Sequence, residues 1–238
     1  MKPNQRLIVA LDFSSMGEVE QLVEHLGGSV NYYKVGMELY FSVGNRVLHY
    51  LQQQNKQVFL DLKLHDIPNT VARSLKSLTG LGAAMLNVHA FGGPAMLKAA
   101  AEAVAGEAER LRMEKPKLIA VTVLTSMDQT EWSSIGQTAE LSGQVVNFAR
   151  LAQAAGIDGV VASPQEAALI REACGNDFLI VTPGIRPQGS ERNDQSRVAT
   201  PHGALAAGAS HLVIGRPVTA AADPRQAAER ILAEMEGE

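Results

Sequence analysis

The sequence holds a single cysteine, Cys174, in 238 residues. That excludes an intrachain disulfide and a cysteine-based zinc centre. It also lacks a basic excess, since 21 Lys and Arg stand against 25 Asp and Glu, a net charge of −4. Nucleic acid and acidic membrane surfaces are therefore not expected partners, and an anionic ligand would need a local basic cluster. Charged residues make up only 19% and apolar ones 46%, so much of the chain is expected to be buried. No long apolar run is present. The N-terminal one lasts from Leu7 to Leu11 before Asp12, too short for a signal-peptide core or a membrane span, and a soluble cytoplasmic protein is expected. No GxGxxG follows any candidate strand and no P-loop motif occurs, which speaks against a dinucleotide or NTP site.

What the chain does have is an unbroken alternation. Short apolar runs suited to buried strands occur at Leu7–Phe13, Tyr32–Met37, the start of Gln57–Thr70, Ala84–Phe91, Lys117–Thr125, Gly159–Ser163, Phe178–Thr182 and His211–Gly215. Between them lie helical spacings: Val19, Leu22, Val23 and Leu26; Val43, Val47, Leu48 and Leu51; Val71, Leu75 and Leu78. Further helices are expected over Pro94–Met113 and Val145–Ala155, and from Asp223-Pro224 to the end. Ser14 or Ser15 is placed to cap the first helix, and Pro164 to begin one at its first turn. Eight strand–helix units over residues 1–238, without a linker, predict a single-domain (β/α)8 TIM barrel, a fold that takes about 250 residues. An open doubly wound sheet is the alternative.

The stretch Gln57–Thr70 (QVFLDLKLHDIPNT) carries the densest chemistry. Side chains on a strand alternate, so Asp61, Lys63 and His65 are expected on one face, with Leu60, Leu62 and Leu64 on the other. Asp66 falls at the strand exit, before a turn into a helix. Charges gathered in this way need partners or a solvated site, and a structural ion pair would also satisfy them. The other strand ends offer Asp12, Lys34, His89, Thr125, Ser163, Arg186 and Arg216. Taken singly, Asp12 reads as a helix cap and His89 as a hydrogen-bonded structural imidazole. Together they populate the C-terminal rim, where such barrels build active sites. Pro183–Pro187 and Ile214–Pro217 follow strands seven and eight, a frequent phosphate position. The polar segment Arg186–Thr200 reads as a binding loop or lid, or as a plain surface connection.

Seven motifs in order resemble orotidine 5′-phosphate decarboxylases along the whole chain. They are Val9–Asp12 (VALD), Tyr33–Gly36 (YKVG), Asp61–Thr70 (DLKLHDIPNT), Val121–Ser126 (VTVLTS), Pro183–Pro187 (PGIRP), Asn193–Val198 (NDQSRV) and Ile214–Pro217 (IGRP). The resemblance implies a homodimeric barrel with shared active sites and no metal or organic cofactor. It implies that Lys63 donates a proton, flanked by Asp61, while Asp66, Ile67 and Thr70 reach the neighbouring subunit's site. By the same resemblance Asp12 binds ribose hydroxyls, Lys34 belongs to the charged network and Thr125 meets the pyrimidine ring. Arg186, Gln195, Gly215 and Arg216 hold the phosphate. Two other readings stay open on the residues: a Mg²⁺-dependent sugar-phosphate decarboxylase or aldolase of the same barrel group, and a non-catalytic phosphate-ligand-binding barrel.

Overall fold

The computed structural model describes residues 3–187 and 199–237. Its eight parallel strands close on themselves in sequence order. They are β1 (Leu7–Leu11), β2 (Tyr32–Gly36), β3 (Gln57–Leu64) and β4 (Met85–His89). The circuit continues through β5 (Lys117–Val121), β6 (Gly159–Val161), β7 (Leu179–Thr182) and β8 (His211–Ile214), and β8 pairs back onto β1. The closed barrel rather than the open sheet is thus the fold, and among the described residues no barrel strand is left with an unpaired edge.

Alternation along the strands sorts the core into two apolar clusters. Leu7, Val9 and Leu11 of β1 join Tyr33, Val35, Val58, Leu60, Leu86 and Val88 in the layer packed against the helices. The intervening residues Ile8, Ala10, Tyr32, Phe59, Met85, Ile119, Val181 and Val213 fill the barrel interior, as bulky side chains do in this fold. Between β6 and β7 the wall is too tight for any side chain: a Cβ on Gly159 would lie 2.3 Å from the Leu179 carbonyl oxygen.

The helices depart from expectation in instructive places. Residues 37–53 form two helices, Met37–Val43 and Arg46–Gln53, because Gly44 caps the first at φ +63°. Pro164 does not start its helix, which begins at Ala167 after a turn. Ser15 sits at the N-cap of Met16–Leu26, but its hydroxyl donates to Glu18 Oε2 rather than capping the backbone. Pro68 does open the helix Pro68–Thr79, which buries Val71 and Leu75. Among the described residues no helix is long and apolar enough to cross a membrane.

Every strand except β7 stops short of its expected end. β1 ends at Leu11, not Phe13, and β5 at Val121, not Thr125. The strand from Ala84 gives way at Ala90 to a short 3-10 turn, Ala90–Gly92. Most of the candidate residues therefore sit beyond the ladders, on the loops of one rim. That is the geometry a barrel needs to present side chains to a ligand.

Candidate active site

Continuing the inward-facing positions toward the C-terminal rim exchanges apolar residues for polar ones. After Ile8 and Ala10 comes Asp12; after Tyr32, Lys34; after Phe59, Asp61; after Met85, Asn87 and then His89. These side chains converge. Lys34 Nζ lies 3.0 Å from Asp12 Oδ1 and 3.6 Å from Asp61 Oδ2, and Lys63 Nζ lies 2.8 Å from Asp61 Oδ1. Cation and anion thus alternate along a chain Asp12–Lys34–Asp61–Lys63. Asp61 is its buried centre, whereas the Asp12 side chain is 62% exposed and opens to solvent.

Burial raises the pKa of Asp61. Lys34, Lys63 and the hydrogen bonds from Lys63 and Asn87 oppose that and leave it below the usual carboxylate value. The deep carboxylate is therefore held ionised by its neighbours. Burial likewise lowers the pKa of His89, reinforced by the nearby His65 and Lys63.

Lys63 does not reach Asp61 by simple alternation. The β3–β4 register shifts between Leu60 and Leu64, and Lys63 adopts φ +52°, a left-handed conformation that costs a non-glycine residue about 1–2 kcal/mol. Its N–H donates to Asn87 Oδ1 at 2.8 Å. Past the bulge, His65 is exposed on the rim with its ring 5.5 Å from that of His89. The expectation that Asp61, Lys63 and His65 share one face is therefore corrected: a bulge brings the first two together and turns His65 out.

Asp66, Ile67 and Thr70 all lie exposed at the start of the helix Pro68–Thr79 or just before it. Asp66 Oδ1 accepts from the Ile67 N–H at 2.6 Å, and Asp66 forms no ion pair among the described residues. Ile67 is 66% exposed and Phe91, whose ring meets His65 edge-on, is 53% exposed. Thr125 is half-buried in the turn after β5.

After β7, Gly184 at φ +76° turns the chain into Ile185, which bridges Ala199. The Arg186 N–H donates to the Ala199 carbonyl at 2.9 Å, which joins the two ends of the polar segment. Burial and the neighbouring Arg216 charge lower the pKa of Arg186. Arg216 opens the short helix Arg216–Thr219, with Gly215 as its N-cap. A Cβ on Gly215 would lie 3.5 Å from Asp12 Oδ2, which places the β8 exit beside the charged chain. Gln195 lies outside the described residues.

Sequence reasoning missed two contributors. Asn87 is 2% exposed and donates from Nδ2 to Asp61 Oδ1 at 2.6 Å. The signal was its place between Met85 and His89 on the inward face of β4. Gly36 leaves room for Lys34, since a Cβ there would lie 3.0 Å from Lys34 Nζ. A cavity of about 450 Å³ at the opposite mouth, lined by Tyr32, Lys117 and His211 among others, lies at strand N-termini and away from the charged chain.

Fold and site together define a barrel enzyme that gathers a preorganised array of alternating charges beside two arginines at its C-terminal rim. The chain belongs to the orotidine 5′-phosphate decarboxylase / HUMPS family, whose profile matches residues 5–231. It is 52% identical over 237 residues to an orotidine 5′-phosphate decarboxylase of Moorella thermoacetica, covering 99% of this chain and 94% of that one. It is 48% identical to one from a Caulobacter species, with full coverage of both chains. A crystal structure of orotidine 5′-phosphate decarboxylase from Lactobacillus acidophilus superposes with a TM-score of 0.84 at 40% identity, covering 96% of this chain and 98% of that one.

Proposed function

We propose that this barrel decarboxylates orotidine 5′-phosphate to UMP and CO₂, the last step of de novo pyrimidine synthesis. The observation that carries the reading is the Asp12–Lys34–Asp61–Lys63 chain at the strand exits. Its weight comes from full-length relatives near 50% identity that bear the decarboxylase name.

Breaking the bond between C6 of the pyrimidine and its carboxylate leaves an electron pair on C6, in an orbital that does not overlap the ring π system. Stabilisation must then come from charge already aimed at that carbon. Cationic Lys63, fixed on Asp61, supports the developing carbanion and transfers an Nζ proton to C6. CO₂ leaves, and the Lys63 amine regains its proton from solvent. Asp12, open at the end of the chain, takes the ribose hydroxyls. Thr125 meets the pyrimidine. Arg186, Gln195, Gly215 and Arg216 hold the phosphate, a dianion suited to the planar donor forks of the two arginines. Binding of this remote group supplies energy for assembling the charged site.

The reading uses no metal or organic cofactor. Both Asp61 oxygens already face donors, with Lys63 and Asn87 on Oδ1 and Lys34 on Oδ2, so a cation-binding role for this carboxylate would have to displace a lysine. It also takes residues 1–238 as one catalytic domain acting in the cytoplasm as a homodimer. Support for the dimer comes from Asp66, which no cation of its own chain pairs among the described residues, and from the exposed apolar Ile67 and Phe91 near it. Across a dimer axis Asp66 would approach the partner's Lys63. The deciding experiment incubates the purified protein with orotidine 5′-phosphate and follows ultraviolet loss of substrate with and without EDTA, alongside folded Lys63→Ala. Turnover indifferent to EDTA and abolished by Lys63→Ala is expected. Loss of activity with EDTA, or near-normal turnover in Lys63→Ala, refutes the mechanism.

A further inference from the structure

We propose that Asn87 is the positioning residue that locks the Asp61–Lys63 pair into its working geometry. The inference rests on the decarboxylase reading of the site. Asn87 sits on β4 and is 2% exposed, yet both ends of its amide are occupied by the charged array. Nδ2 donates to Asp61 Oδ1 at 2.6 Å, and Oδ1 accepts the Lys63 N–H at 2.8 Å. Lys63 Nζ meets the same Asp61 oxygen at 2.8 Å. One oxygen thus receives two donors, and a closed loop runs from the Asn87 amide through Asp61 and the Lys63 side chain to the Lys63 backbone.

This loop explains why the left-handed Lys63 is tolerated. Where the β3–β4 register breaks, the Lys63 N–H is turned toward the Asn87 side chain, and its hydrogen bond there keeps a part-buried donor satisfied. The same amide stabilises the ionised Asp61 by donating to it. Only one orientation of the amide serves both contacts. Flipped, it would set its oxygen against a carboxylate and its NH₂ against an N–H. Aspartate at this position would retain the acceptor for Lys63 but face Asp61 with a second negative charge. A carboxyl there regains both roles only when protonated, donating its O–H to Asp61 and accepting from Lys63.

That asymmetry supplies a test that mere support of the fold would not pass. Asn87→Ala, Asn87→Ser and Asn87→Asp are compared with the wild type for kcat, KM and their pH dependence on orotidine 5′-phosphate. In parallel, the Asp61 carboxyl is titrated by ¹³C NMR, which needs no turnover. Asn87→Ala is expected to lower kcat by roughly 10- to 100-fold, as displaced supporting groups do, with KM changed less than threefold. Asn87→Ser, which keeps one hydrogen bond, should fall between. Asn87→Asp should be the weakest at neutral pH and recover relative to Asn87→Ala as pH falls. A folded Asn87→Ala within twofold of wild-type kcat overturns the proposal, as do parallel pH profiles for Asn87→Ala and Asn87→Asp. If the alanine variant does not fold, the comparison of serine with aspartate carries the same decision. If the wild type does not turn the substrate over, the decarboxylase reading falls. The NMR titration then decides the coupling: an unmoved Asp61 overturns it, and a raised one upholds it.

Discussion

Lys34 offers the sharpest test of the charged chain, because its charge is the largest single influence opposing the burial of Asp61. Its ammonium lies 3.6 Å from Asp61 Oδ2, and the two side chains are only 12% and 9% exposed. With an effective dielectric constant near 20, two unit charges at that separation attract by about 4–5 kcal/mol. Lys34→Met keeps the aliphatic stem and deletes the charge. Asp61 then retains Lys63 and Asn87 but loses the largest of the influences that oppose its burial. Breaking a buried pair by removing one partner costs roughly 3–5 kcal/mol; the remaining Lys63 contact places the expectation at the low end, about 3 kcal/mol. For a domain of this size that is a fall in Tm of roughly 6–12 °C.

The pH dependence carries the diagnosis. In the wild type the Asp61 pKa lies below its ordinary 3.8. Its contribution is therefore present above that value and lost as pH falls through the folded-state pKa. In Lys34→Met the largest charge opposing burial is gone, and the folded pKa of Asp61 rises relative to the wild type. Between the wild-type and variant folded-state values the variant's native state holds a proton that the wild type's does not, so acidification from neutrality stabilises the variant relative to the wild type. Thermal melts of both proteins between pH 7 and pH 4 read this directly. A penalty below about 2 °C at pH 7, or one that widens as pH falls, would refute the account.

Three further outcomes are expected. Arg216→Ala should lower kcat/KM for orotidine 5′-phosphate by roughly 100-fold, the worth of a charge-assisted contact, but leave orotidine, which lacks the phosphate, unaffected; equal losses on both substrates would remove Arg216 from phosphate binding. Burial lowers the pKa of His211 from 6.5 to about 4, so the unfolded chain binds the proton first and stability falls as pH drops through that window, by about 3 kcal/mol in all. Urea melts of the wild type should show that slope, and those of His211→Gln should lack it. Finally, on the proposed shared-site dimer, Lys63→Ala and Asp66→Ala, each expected to be inactive, mixed as unfolded chains and refolded together should regain roughly a quarter of wild-type activity, because half of such dimers would be mixed and each would hold one intact site. No recovery in a demonstrated mixed dimer would place Asp66 outside the partner's site.

The barrel was legible because its strands are short apolar runs at steady spacing, and periodicity reports burial. Their ends were not. Leu124-Thr125 and Ala90-Phe91 have the same apolar character as the strands they follow, but pairing stops at Val121 and His89. A ladder ends where the backbone must leave for the loop, and side-chain chemistry does not record that point. Gly44 was the missed cue for two helices between β2 and β3. In the site, Asp12, Lys34, Asp61 and Lys63 stood out as charges in apolar surroundings. Asn87 did not, since a neutral amide inside a strand carries no such contrast. The bulge at Lys63 was hidden because Leu-Lys-Leu alternates perfectly and reads as unbroken strand.

That bulge gives the charged stretch Gln57–Thr70 its physical form. An unbroken strand would have carried Lys63 past Asp61 at the ordinary spacing of alternate residues, about 6–7 Å along the chain, and His65 one such step farther on the same face. Shifting the register and turning Lys63 left-handed instead folds its ammonium back onto Asp61 at 2.8 Å and swings His65 and Asp66 out to the rim. The strain and the burial of charge are met when the protein folds, through Lys34, Asn87 and the packed wall behind them. They need not be met again when substrate binds, so little reorganisation remains for the chemical step. On the proposed reading, the same distortion that orients the proton donor also sends Asp66 outward toward a second subunit. Catalytic array and dimer contact then follow from one irregularity in β3, and relaxing that irregularity would weaken both.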